Sequence, residues 1–328
     1  MGARVRGMVL WGLVVAGCEH AAPFDLPPPE PRGPFDPAIP RRLTFNTGDD
    51  RAPMVFADTV VFSRLEPARA DQDQCFGFLQ VEGGVLSRTV CPGGPLADQR
   101  QQLWSEPAVS PDGVRMAYVV REGPIGRAFQ GSQVIVVAPL ASPGEATATF
   151  NGRVVLPDGR EAAEIRRLRW SGEATLRFLA GVPDPVTNQF TPFAVAELDV
   201  ASGDVVAAAG VDQPAAYATA PDGGVWYASR TDPSLLLHVP VGSDTPQAVG
   251  RFGAPVIDLE NGGDVPVAVT STATVEWLDL QTGVTGGVLW TGSGPLRVAG
   301  VPGTRRVVAE IVSAGAPDLW LLEIRGAN

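Results

Sequence analysis

An all-β ring of six four-stranded antiparallel blades is what the sequence predicts, and three observations carry that expectation. The 328-residue chain holds 38 Gly and 31 Pro, which punctuate it into short elements and disfavour long helices. From Arg41 onward one phrase returns: a short apolar strand, a tight turn, then a longer strand ending near Ser or Arg. It is read at 51–64, 106–120, 165–180, 215–230, 254–271 and 296–312, with copies starting roughly 40 to 60 residues apart. After most copies come two further strands, as in 193–210 and 273–290. Four strands per unit at a period of about 40 to 50 residues is the signature of a β-propeller blade.

The clearest copy, "EPAVSPDGVRMAYVV" (106–120), contains Ser110 and Asp112 in a Gly/Pro setting. Pro111 presets φ for the first turn corner, Asp112 suits the second, and Gly113 accepts positive φ. Ser110 can cap that turn with its hydroxyl. Met116 and Tyr118 alternate with Ala117 and Val119, as expected of a strand packed between two neighbouring sheets. Blade four repeats the turn as "APDGG", with Ala220 where Ser110 stands. The motif therefore needs no serine nucleophile; it is the hairpin between the first two strands of a blade.

"SEPAVSPDGVRMAYV" (105–119) resembles the PD40, or WD40-like, repeat of TolB-type six-bladed propellers, and "RRLTFNTGDDRAP" (41–53) resembles the lead-in to such a blade. The resemblance covers 41–328 as a pattern, strongly at 105–119 and partly at 219–230; the other four blades keep the hydrophobic rhythm without the motif. It implies the fold, not the partners. TolB also carries an N-terminal α/β domain, and here a signal, a lipid site and a tether stand in its place. Blade six shows strands at "RVVAEIV" and "DLWLLEI" but no fourth before Asn328. The segment 41–46, "RRLTFN", is expected to supply that outer strand and close the ring, as resembling propellers do.

Residues 1–17 have the three parts of an export signal. Arg4 and Arg6 form the charged region, Met8 to Val15 the apolar core, and Ala16-Gly17 the small residues before cleavage. The apolar run is too short to span a bilayer. "VAGC" (15–18) resembles the bacterial lipoprotein lipobox, which implies lipidation of Cys18 as the mature first residue. Glu19, rather than aspartate, favours the outer membrane of the cell envelope. Residues 18–40 are then the lipidated Cys18 and a tether, with eight prolines between 19 and 40, reaching up to about 70 Å. The propeller domain is 41–328. Cys75 and Cys91 flank two β-rich runs around "EGG" (82–84). Folding about Gly83 places them opposite each other, at the close approach of a non-hydrogen-bonded pair, and an exported chain sees an oxidising compartment. A disulfide is expected.

Net charge is −11 and all 25 cationic residues are arginine, so there is no basic footprint for nucleic acid and no lysine for Schiff-base chemistry. Without the signal the chain carries 23 Arg against 36 Asp and Glu, about −13, so its lipid rather than its charge would hold it at a membrane. The only histidines are His20, in the tail, and His238, read as a packed strand residue. No catalytic constellation or cofactor is read, so a non-enzyme is expected. The chain reads as a monomeric, lipid-anchored binding scaffold for an envelope protein or small ligand. The alternatives are a Ca-type, lactonase-like propeller hydrolase and a surface-displayed sugar- or peptide-binding lipoprotein.

The loops between the second and third strands are long in blades one to three and short in blades four to six. Long loops on a rigid scaffold are where binding usually lives, which nominates Arg121, Arg127, Phe129, Asn188 and Phe190. Asp71 and Asp73 could join a cation site with carbonyl oxygens, although the full D-x-D-x-D-G loop is absent and a solvated loop is the simpler reading. Asp49 and Asp50 could likewise reach a cation in the channel, with an exposed turn as the commoner outcome. "LDVASG" and "LDLQTG" are similar to quinoprotein propeller repeats, but Asp-x-x-Ser/Thr-Gly equally makes a hairpin turn, so no such cofactor is inferred.

Overall fold

The computed structural model describes residues 39–45, 48–65, 74–92, 100–124, 133–151, 154–155, 159, 161–162, 164–183, 190–292, 294–313 and 315–326. The signal, Cys18 and nearly all of the tether lie outside these residues.

Among the described residues the strands fall into six four-stranded antiparallel units. Blade one is Asp49–Phe56, Thr59–Leu65, Gln74–Gln80 and Leu86–Val90. Blade two is Arg100–Val109, Arg115–Pro124, Val134–Pro139 and Ala148–Asn151. Blade three is Glu164–Trp170, Thr175–Pro183, Phe190–Asp199 and Val205–Ala207. Blade four is Pro214–Thr219, Val225–Ser229, Leu235–Val239 and Gln247–Arg251. Blade five is Val256–Asn261, Pro266–Thr270, Thr274–Asp279 and Val284–Thr291. Blade six is Pro295–Val301, Arg306–Ser313 and Ala316–Glu323, completed by Arg41–Arg42. The strands of each blade are called A to D from the channel outward.

Six buried apolar clusters close the ring, one at each interface between successive blades. The period of two along a strand sends alternate side chains to opposite neighbours. Met116 and Tyr118 enter the cluster shared with blade one, while Ala117 and Val119 enter the one shared with blade three. All four are nearly or wholly buried. The sixth cluster joins Val55, Val60 and Phe62 of blade one to Ala299, Val308 and Leu321 of blade six. Leu43 packs into it, 1% exposed.

The N-terminal strand closes the last blade as expected. Arg41 and Arg42 pair with Leu321 and Trp320, and Leu43 N–H donates to Leu319 O at 2.7 Å. Arg42 also forms an ion pair with the buried Asp318 at 2.7 Å. The strand is shorter than the 41–46 read from sequence, because pairing gives way to side-chain contacts at Thr44, whose hydroxyl receives Leu319 N–H at 2.9 Å.

The Cys75–Cys91 disulfide is present, with Cα atoms 4.3 Å apart. Phe76 pairs with Val90 and Phe78 with Arg88, the register that folding about Gly83 requires. Phe76, Trp104 and Tyr118 form an aromatic triangle with centroids 5.1 to 5.5 Å apart, anchoring this hairpin to blade two. Gly77 is small by necessity, since a Cβ there would lie 2.3 Å from the Phe62 ring.

The A–B turn of blade two is as read. Gly113 N–H reaches Ser110 O at 2.8 Å, with Gly113 at φ 70°. The Ser110 hydroxyl receives Arg115 N–H at 2.9 Å, and Asp112 receives Val114 N–H at 3.0 Å. The Ser110 hydroxyl donates to Asp112 and, with that N–H, holds its carboxyl below the usual carboxylate range. Both residues are spent on the turn. Asp199 and Asp279 cap the C–D turns of blades three and five, accepting N–H groups of Ala201 and Gln281 at 2.8 Å each. One element was not read from sequence: a short hairpin, Val154–Val155 with Glu161–Ala162, between blades two and three. Its Val154 and Ala162 are buried against that interface.

Candidate functional site

Each A strand lies at the channel and carries one extra residue, so its pairing with strand B shifts once in all six blades. Such a bulge leaves a residue outside the ladder and re-aims its side chain. In blades one to three two residues oppose one: Ala52-Pro53, Glu106-Pro107 and Arg167-Leu168. Ala52, Glu106 and Arg167 take φ between 50° and 57°, a conformation that costs a non-glycine residue about 1–2 kcal/mol. In blades four to six the extra residues are Ala215, Ile257 and Leu296.

Two of the left-handed residues are held by carboxylates from neighbouring blades. Glu310 receives Ala52 N–H at 2.8 Å and Glu106 receives Arg167 N–H at 2.7 Å. Asp258 does the same for Val298 N–H at 2.8 Å. Two arginines then cross the channel. Arg297 of blade six binds Glu106 of blade two through both oxygens at 2.6 and 2.7 Å. Arg167 of blade three pairs with Asp258 of blade five at 2.8 Å, and donates to Val298 O at 2.8 Å and to Leu259 O. Tyr217 donates to Arg167 O, and Arg169 pairs with Glu260 at 3.0 Å.

This knot is nearly dry, with Glu106, Arg167, Asp258 and Glu310 all at most 5% exposed. Burial disfavours a charged carboxyl. It pushes Asp258 up to about 6 and raises Glu310, despite the guanidinium groups beside them. For Glu106 burial also works upward, but the doubly bonded Arg297 and the Arg167 N–H outweigh it and hold the group below the usual range. Burial raises the Tyr217 phenol as well.

Above the knot, on the face where A strands begin, lies a cavity of about 370 Å3 lined by residues of blades three to six. Its walls include Arg166, Arg167, Arg230, Arg297, Asp258, Phe190 and Leu179, with the three extra bulge residues Ala215, Ile257 and Leu296. The Arg166 guanidinium lies 4.4 Å over the Phe190 ring, within cation–π range, and pairs with Glu164 at 2.9 Å.

Of the residues nominated from loop length, Phe190 lines this cavity. Arg121 does not line it, but is bound to the same Glu164 oxygen at 2.9 Å. Arg127, Phe129 and Asn188, and the acids Asp71 and Asp73, lie outside the described residues. Asp49 and Asp50 open the A strand of blade one rather than forming an exposed turn. Asp50 is fully buried, opposite Arg64, and Asp49 pairs with Arg51 at 2.7 Å. His238 is a strand residue, 3.1 Å from Asp222 and edge-on to Trp226. Among the described residues no group of three His, Cys, Asp or Glu has the arrangement of a metal site.

Glu106, Arg167, Asp258, Arg297 and Glu310 were not singled out in the sequence. The available signal was an acid or arginine inside an apolar strand, as in "SEPAVS", "VIDLEN" and "RVVAEIV", a placement that burial makes costly unless the charge is paired.

No protein-family profile matches the chain, and no curated protein does. Solved structures do. One is the X-ray structure of a candidate gluconolactonase, 14% identical, covering 87% of this chain and 92% of its own at a TM-score of 0.51. Another is the Cps50 (Swd1) β-propeller domain of Myceliophteria thermophila, 9% identical, covering 86% and 99% at a TM-score of 0.54. At such identities the likeness speaks for the fold alone, and it agrees with the six blades traced above: the chain is a β-propeller.

Proposed function

We propose that the chain is a non-catalytic binding module of the bacterial cell envelope, held by lipid at Cys18 on its proline-rich tether, and that it engages its ligand at the channel mouth. One observation carries the reading: the channel carboxylates that a propeller hydrolase would offer to a metal are committed. Glu106 is bound by Arg297 through both oxygens, Asp258 by Arg167 and Val298 N–H, and Glu310 by Ala52 N–H. The export-signal pattern of 1–17 and the lipobox-like 15–18 support the envelope setting.

The gluconolactonase likeness keeps one other reading open to test, a lactonase-like enzyme using a channel metal. Simple γ- and δ-lactones offered to the mature chain, with Ca2+ and after EDTA treatment, distinguish the two. The binding-module reading expects no turnover under either condition. Metal-dependent hydrolysis would overturn it. Replacing Cys18 by serine should release the chain from the membrane fraction; retention there would remove the lipid anchor from the account.

A further inference from the structure

We infer that the channel-mouth cavity takes a small organic carboxylate with an apolar body. The inference rests on the reading of the mouth as the binding surface and adds the chemical class of the ligand. Two walls of different chemistry face one space. On the apolar side stand Ile257 and Leu296, the extra residues of their bulges. They remain 49% and 39% exposed, although the strands that carry them are otherwise packed into blade interfaces. Bulges that deliver two aliphatic side chains into a cavity, and leave them uncovered, provide an apolar surface whose burial by a ligand is favourable.

The other wall is cationic. Arg166, Arg167, Arg230 and Arg297 line the same cavity, in a chain whose net charge is −11. Arg167 and Arg297 are consumed by Asp258 and Glu106, which neutralises the one acid on the cavity wall. Arg166 shares Glu164 with Arg121. Arg230 differs: its guanidinium donates to Pro192 O at 3.3 Å and lies 5.8 Å from the Phe193 ring, and among the described residues no carboxylate pairs with it. A planar fork of donors at the rim matches a carboxylate through two parallel bonds. The volume of about 370 Å3 is at the lower end of small-molecule sites, which favours a compact ligand over a folded partner.

The strands of all six blades and the clusters at their interfaces fall between residues 41 and 326, so a chain starting at Glu19, without lipid, contains the whole ring and can be studied free of detergent. Calorimetric titration with octanoate, octanol and octylammonium tests the inference. Octanoate is expected to bind at one site, at least about tenfold more tightly than octanol, the contribution of a charge-assisted hydrogen bond; octylammonium is expected not to bind. Arg230→Gln should erase the preference for octanoate over octanol, whereas Ile257→Ser should weaken both alike. Both positions are exposed, and a melting curve for each variant verifies folding. Equal binding of octanoate and octanol, no binding of octanoate, or unchanged octanoate affinity in Arg230→Gln would each overturn the proposed ligand class. Octanoate binding together with lactone turnover would instead leave the carboxylate site standing and sink the non-catalytic reading.

Discussion

The two halves of the ring carry the same A-strand bulge and use it differently. In blades one to three the extra residue brings a left-handed backbone at Ala52, Glu106 and Arg167, and two of those N–H groups are tied to carboxylates of other blades. In blades four to six the bulge leaves Ala215, Ile257 and Leu296 on the wall of a cavity. One half invests the irregularity in holding the ring together; the other presents it to solvent. A repeat thus fixes where the chain leaves its ladder, and the residue standing there decides whether that point stabilises or recognises.

The sharpest way to break this contrast is at Arg167, the bulge residue bonded to four other blades. Arg167→Met leaves Asp258 buried without its cation and two carbonyls without a donor, and should cost about 3–5 kcal/mol in chemical denaturation. Next in size is the Cys75–Cys91 disulfide of blade one. Reducing it, or replacing both residues by serine, should lower stability by about 3 kcal/mol, read as a shift in denaturation midpoint. Ser110→Ala should cost about 1 kcal/mol through the lost hydroxyl bonds and leave ligand binding intact, since blade four makes its turn with Ala220. Smallest of all, Ile257→Ser should alter stability by no more than about 0.5 kcal/mol while weakening ligand binding. A large stability loss there would make the two halves alike.

The outline of the fold was legible because it rests on short-range rules. Pro111, Asp112 and Gly113 specify a turn wherever they fall, and Cys75 and Cys91 are opposite by counting from Gly83. Residues 41–46 were assigned to the last blade because that blade lacked a strand, and Arg41–Arg42 pair there. The bulges were not legible, because an inserted residue such as Ile257 in "APVIDLEN" reads as one more apolar strand position. Nor was the knot, since Glu106 and Arg297 lie 191 residues apart and only the closed ring brings them together. Loop length points to blades one to three. Of the residues it nominated, Phe190 reaches the cavity because blade three borders the half of the ring that holds it.

The central claim is that the channel carboxylates serve the ring rather than a metal, and Glu106→Gln tests it most directly, melted with Ca2+ and with EDTA. Glu106 neutralises Arg297 and holds the left-handed Arg167. Its loss should lower Tm on the order of 10 °C, equally in both buffers, and the wild type should melt at one temperature in either. A wild type stabilised by Ca2+, with a variant whose metal-free form melts no lower and whose Ca2+ response is gone, would contradict the account.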